Sequence, residues 1–213
     1  MALDRVDLDV AAGTCLAVVG GNGSGKSTLL DVLSGLRKPD GGTVAIDGSQ
    51  PEWAPAGFAR LGVRRSFQEP RLVGDLGVDD NIALGLTGAL PSVASIPLSR
   101  RALQAESVAW ARHAVGIDLP SRRLASKVSY GQRKRIELAR VLVGRPSVAL
   151  LDEPLAGVAA EDRPRLLAGI AALVEAGTAV VLVEHDQDAV EAVATSVLEL
   201  GRAGSSTAKA STA

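Results

Sequence analysis

The stretch Gly20-Gly21-Asn22-Gly23-Ser24-Gly25-Lys26-Ser27-Thr28 decides the fold of this 213-residue chain. It follows the continuous apolar run Cys15–Val19, which reads as a strand buried on both faces, and it opens a helical pattern over Ser27–Leu36. Its spacing is G-x-x-x-x-G-K-[ST]. Glycines let the backbone turn its N–H groups inward, where a side chain would intrude on an anion. The helix start adds a positive dipole end. Lys26 brings a point charge to a phosphate, and the Ser27 hydroxyl is placed to ligate Mg²⁺. Residues 20 to 28 are therefore the expected nucleotide-binding set. A glycine-rich surface turn is the plainer alternative, but it requires neither the strand before nor the helix after.

Further along, Val148-Ala-Leu-Leu151 is a second buried strand, and it ends in Asp152-Glu153. A parallel strand delivers Asp152 to the sheet edge beside the phosphate loop, where it can hold Mg²⁺ through water. Glu153 points elsewhere and is positioned to orient or polarise an attacking water. An acidic turn opening a helix is the competing reading, and the phosphate loop upstream argues against it. A third strand spans Thr178–Val183. Strands followed by helical patterns imply an α/β fold with a parallel sheet. Thr43–Ile46 before Asp47-Gly48 suggests a hairpin. The stretch from about residue 75 to residue 143 lacks a strong strand and reads as an inserted helical lobe. The small polar tail 203–213 is expected to be disordered.

Composition narrows the classes. A hydrophobic fraction of 46% with 22% charged residues is globular. The net charge of −1 argues against a dedicated nucleic-acid binder. A lone cysteine, Cys15, makes neither a disulfide framework nor a zinc site and reads as a buried small residue. The uncharged run Asn81–Ser99 is long enough to span a bilayer, but Pro91 and Pro97 mark it as a helix end and a loop. Aromatic residues make up only 2%, and none precedes Trp53. Packing is the reading for Trp110 and His113. No Asn-Lys-x-Asp guanine-reading motif occurs.

Between the loop and the acidic strand lies Val128-Ser129-Tyr130-Gly131-Gln132, opening a basic helix. This segment resembles the signature motif of ATP-binding-cassette (ABC) ATPases. Gln68, in Arg65-Ser-Phe-Gln68, resembles the family's Q-loop glutamine, and His185 its switch histidine. The order of all five motifs is the family's order, over roughly residues 8 to 200 of the chain. The resemblance implies a P-loop NTPase (RecA-like) core with an inserted helical subdomain at about 75–143, together forming one ABC ATPase domain over 1–202. It implies ATP and Mg²⁺ as cofactors, with Ser27, Gln68 and Asp152 at the metal and Glu153, Gln68 and His185 in catalysis. Ser129, Gly131 and Gln132 would close a second cassette's nucleotide site, head to tail. A spare phosphate-binding helix end also makes sense physically only for another molecule's nucleotide. The run Arg133-Lys134-Arg135 reads as a solvated helix face with an Arg133–Glu137 pair.

Within the family, Glu184-His185-Asp186 and Asp152-Glu-Pro-Leu-Ala-Gly157 resemble importers for branched-chain amino acids and urea-type solutes. The implied role is a peripheral subunit on the cytoplasmic face of the cell membrane. It would bind permease subunits, serve a solute-binding protein indirectly, and bind no nucleic acid. Urea or other solutes, an exporter, and a soluble or binding-only cassette are the alternatives. Two departures stand out. The family's early strand carries an aromatic that stacks on adenine, and here Met1–Val10 matches the segment just before the phosphate-loop strand. The N-terminal β subdomain is thus expected to be partly missing. Ala159 stands where the family offers Asp or Asn for a contact across the dimer.

Overall fold

The computed structural model describes residues 3, 5–86, 98–201 and 206–209. Six strands form one sheet in the order β2-β3-β4-β1-β5-β6. They are β1 (Cys15–Val19), β2 (Val63–Arg65), β3 (Val148–Asp152), β4 (Ala179–Val183), β5 (Ser196–Leu200) and β6 (Ser206–Lys209). The first five run parallel, with Asp152 opposite Val183 in the β3–β4 register and Val18 opposite Val183 between β1 and β4. The C-terminal ends of β1, β3 and β4 therefore lie side by side, so the phosphate loop, Asp152-Glu153 and Glu184-His185 leave the sheet at one edge.

Alternation along these strands divides the core in two. Cys15, Ala149, Leu151, Val180 and Leu182 face one side. There they pack against helices α3 (Val78–Ala83), α4 (Leu98–Ala114), α5 (Tyr130–Leu142) and α6 (Arg163–Glu175). Leu16, Val18, Leu150, Val181 and Leu198 face the other. They meet Leu29 and Leu30 of α1 (Lys26–Leu33) and Phe58 of α2 (Pro55–Arg60). A sheet covered on both faces explains why its central strands read as unbroken apolar runs. Burial pushes the Cys15 thiol up to about 12, so it stays protonated inside the sheet. Trp110 packs on the first cluster beneath the Arg145 guanidinium, whereas His113 is exposed, so packing holds for one of the two.

Several expectations change. The hairpin over 43–48 is only a single bridge between Ile46 and Ser49, because one short apolar run has no partner strand. β6 takes residues 206–209 out of the tail that the sequence suggests is disordered, pairing them antiparallel with β5. Ladder bonds are made by the backbone, and the open edge of β5 supplies partners irrespective of the tail's small side chains. Of the uncharged run, 81–83 belong to α3, 84–86 form a 3₁₀ turn and 98–99 begin α4; residues 87–97 lie outside the described residues. The described part of 75–143 consists of helices joined by turns and loops, with one bridge between Gly77 and Leu124 and no strand.

The basic run at the start of α5 departs most. Lys134 and Arg135 are buried, at 2% and 5% exposure, so this helix face is not solvated. Arg135 donates to the Gly116 carbonyl and pairs with Asp162 on the loop before α6. Glu137 is buried as well, and its carboxylate accepts the Phe67 and Arg71 N–H groups rather than pairing with Arg133. Partners far away in sequence satisfy these charges, which spacing along one helix cannot register.

Candidate nucleotide and catalytic site

The phosphate loop joins β1 to α1 with Gly20, Gly23 and Gly25 all at positive φ. A Cβ at Gly20 would lie 2.5 Å from the Leu200 carbonyl and 2.7 Å from Ser24 Oγ, so only glycine fits there. At Gly21 and Gly23 a Cβ would meet nothing within 4 Å, leaving the loop's outer side open. Helix α1 starts from Gly25 at φ 99°, with no side chain capping its first turn. Lys26 Nζ donates to the carbonyls of Gly20 and Gly21, at 2.7 and 3.0 Å, so its charge is centred on the loop. Ser24 Oγ is buried without a hydrogen-bond partner. A buried orphan hydroxyl, an uncapped helix end and a bare glycine rim around an ammonium all suit a phosphate chain.

Asp152 closes β3, nearly buried, with its backbone N–H donating to Ser66 Oγ at 3.2 Å. Burial pushes its carboxyl up from the ordinary range, and the Arg65 guanidinium beside it pulls it down. Arg65 is 3.3 Å from Asp152 Oδ2 and 2.7 Å from Asp31 Oδ1, and it also reaches Ser34 Oγ. No cluster of three His, Cys, Asp or Glu side chains able to hold a metal occurs among the described residues. One carboxylate with the Ser27 hydroxyl suits Mg²⁺, which keeps waters and takes other oxygens from phosphates rather than from an all-protein cage.

One residue beyond, Glu153 adopts φ 45°, a turn that leaves the strand abruptly. Its Oε2 accepts from Gln68 Nε2 at 2.8 Å, and its Oε1 lies 3.1 Å from His185 Nε2. The three residues assigned to catalysis thus form one chain, Gln68–Glu153–His185, across three strand ends. Glu184 anchors its neighbours: its carboxylate accepts the N–H groups of Leu155 and His185. Asp186 caps α7 (Gln187–Val193) and pairs with Arg163.

The signature residues stand apart from this cluster. Ser129 caps α5, with its Oγ accepting from Gln132 N–H and the Gln132 side chain accepting from Ser129 N–H. Among the described residues, no hydrogen bond joins Ser129, Gly131 or Gln132 to residues 20–28. Gly131 instead faces Asp162, where a Cβ would come within 2.3 Å of Oδ2. Ala159 is exposed, on the loop between β3 and α6. Arg65 and Lys134 were not singled out by sequence as site residues. Arg65 sits three positions before Gln68, but nothing local marks its reach to Asp31 and Asp152.

A strand–loop–helix phosphate cradle, with an acidic strand end beside it, defines a nucleotide-binding cassette. The sequence profile of the ABC transporter family matches residues 3–156. BraF, the high-affinity branched-chain amino acid transport ATP-binding protein of Pseudomonas aeruginosa, is 31% identical over 95% of this chain and 83% of its own length. LivG of Escherichia coli, of the same description, is 33% identical over 87% of this chain and 76% of its length. The aliphatic sulfonates import ATP-binding protein SsuB of Cupriavidus necator is 41% identical over 86% of this chain, which spans only 56% of that protein. Among solved structures, cbiO1 from Clostridium perfringens, part of the ABC transporter complex cbiONQ, superposes with a TM-score of 0.81 at 26% identity. That superposition covers 97% of this chain and 80% of cbiO1. The dimeric bacterial cassette MJ0796 shares the fold, with a TM-score of 0.80 at 22% identity over 97% of this chain and 90% of that one. The chain belongs to the ABC transporter family, as an ATP-binding cassette of its ATPase class. No helix among the described residues is long and apolar enough to cross a membrane.

Proposed function

We propose that this chain hydrolyses ATP to power an importer for branched-chain amino acids, with Glu153 directing water at the γ-phosphate. The hydrogen-bonded chain Gln68–Glu153–His185, on the sheet edge that carries the phosphate loop, is the observation behind this reading. Lys26 and the loop N–H groups from Gly20 to Thr28 hold the phosphates. Ser27, Asp152 and Gln68 would hold Mg²⁺, which would supply positive charge to the phosphate oxygens. Glu153 accepts a hydrogen bond from the attacking water and fixes its direction, while His185 steadies the charge that builds on the γ-phosphate. Ser129, Gly131 and Gln132 face the nucleotide of a second cassette packed head to tail.

On this reading the cassette, with its helical lobe at about 75–143, sits on permease subunits at the cytoplasmic face of the membrane and serves a solute-binding protein only indirectly. The amino-acid assignment rests on Glu184-His185-Asp186 and Asp152–Gly157, together with the BraF and LivG likenesses. The likeness to SsuB favours a second reading, an alkanesulfonate importer. Steady-state ATP turnover with Mg²⁺ tests the chemistry. Glu153→Gln is expected to lose about 100-fold or more in kcat while still binding nucleotide. Unchanged turnover overturns the assignment. Uptake of labelled leucine against a labelled alkanesulfonate, in cells with and without the gene, decides the solute.

A further inference from the structure

Resting on the role given to Glu153, we propose that Lys134 is a positioning residue that holds Gln68 and Glu153 together from the helix opened by Ser129. The residue is 2% exposed, and its Nζ donates to the Gln68 carbonyl at 2.6 Å and the Glu153 carbonyl at 3.0 Å. Those residues come from different strand ends, and their side chains are joined at 2.8 Å. A shared ammonium on both carbonyls fixes both backbones, and with them the side-chain bond between the two residues.

Burial gives that arrangement its force. A buried ammonium is costly unless its donors are satisfied, so Lys134 cannot leave these carbonyls without leaving an unpaired charge behind. Desolvation pulls its pKa down, while Glu137, Glu69, Glu184 and Glu153 around it pull the other way. The Tyr130 ring lies 5.9 Å from Nζ and closes the side nearest the helix start. Lys134 also stands five residues after Ser129 on α5. One side chain thus links the helix end that is to meet a partner's nucleotide with the carboxylate that directs water. In sequence the residue is one of three consecutive cations, and only the fold separates its role from theirs.

The test compares Lys134→Arg, Lys134→Gln and Lys134→Met with the unaltered protein, in steady-state ATP turnover and equilibrium nucleotide binding. Arginine keeps the charge and can donate to both carbonyls, glutamine keeps only a shorter, neutral amide donor, and methionine offers no donor. The expected order of kcat is Arg, then Gln, then Met, with methionine about 10- to 100-fold down because the reacting geometry is loosened. Nucleotide Kd should stay within about threefold throughout, since no phosphate contact is removed. If the methionine variant does not fold, the gap between arginine and glutamine decides in its place. Equal kcat in all variants, or a loss confined to Kd, overturns the proposal. Glu153→Gln is assayed beside them. Turnover retained there overturns the Glu153 assignment and the Lys134 role with it, whereas turnover lost there but untouched by the Lys134 series overturns the Lys134 role alone.

Discussion

Helices α1 and α5 both begin where sequence reasoning places an anion, yet their first turns are built in opposite ways. α1 starts from a left-handed glycine, has no capping side chain and carries no acidic residue in its first turn. α5 starts from Ser129 in extended geometry and closes a reciprocal box with Gln132. Exposed N–H groups at a helix start require some partner. At α1 the loop is shaped so that the partner is a ligand's oxygens. At α5 the protein supplies its own acceptors for the Ser129 and Gln132 N–H groups, so this helix start is partly closed within the single chain. On the proposed reading the first end is a binding site that needs filling, and the second is half closed before it meets another molecule.

The contrast can be broken most directly at Lys26. Lys26→Ala removes the charge at the centre of the loop and should weaken nucleotide binding by about 1.5–3 kcal/mol, roughly 10- to 100-fold, in equilibrium dialysis. An unchanged affinity would mean that α1 is not the binding end. Next in size, nucleotide at about 100 times its Kd should stabilise the chain by about 2.7 kcal/mol, seen as a rise of roughly 5–10 °C in melting temperature. At the same nucleotide concentration that rise should shrink to roughly 1–5 °C in Lys26→Ala, for which the gain is only about 0.4–1.4 kcal/mol, and survive in full in Ser129→Ala. Ser129→Ala itself should cost about 1 kcal/mol, a drop of roughly 2–4 °C without nucleotide, because a cap that the chain depends on is lost. Gln132→Ala removes only the returning half of the box and should cost less, about 0.5 kcal/mol in the same melting experiment. Equal effects of these last two would show that the box is not what stabilises α5.

Much of this arrangement is legible in the sequence where a single local rule suffices. β1, β3 and β4 are continuous apolar runs because helices cover both sheet faces, and the phosphate loop is specified by glycine conformation within nine residues. β2 escapes such reading: Val63-Arg64-Arg65 is three residues long, and its two arginines reach away from the strand to the Ala59 carbonyl and to Asp31. β5, Ser196–Leu200, opens on a serine and carries the exposed Glu199, so it lacks a continuous apolar run. The motifs for Gln68, Glu153 and His185 are visible one at a time, but their mutual hydrogen bonds depend on sheet order, which no stretch of sequence states. Lys134 and Arg135 are misread for the same reason. Their partners Gln68, Glu153, Gly116 and Asp162 lie 19 or more residues away and become neighbours only once the helices have packed on one another and on the sheet.

The positive φ of Glu153 bears on heat resistance. A non-glycine residue in the left-handed region costs on the order of 1 kcal/mol, and such a conformation persists only where the surroundings over-determine it. Here the Val183 carbonyl accepting its N–H, the Lys134 ammonium on its carbonyl, and Gln68 and His185 on its side chain supply that constraint. Glycine would relax the backbone at that corner. Glu153→Gly is therefore expected to melt at least as high as the natural sequence while losing turnover. The chain gives up robustness at the position where the proposed chemistry needs a carboxylate, and on that reading selection for thermal hardiness alone would remove activity first.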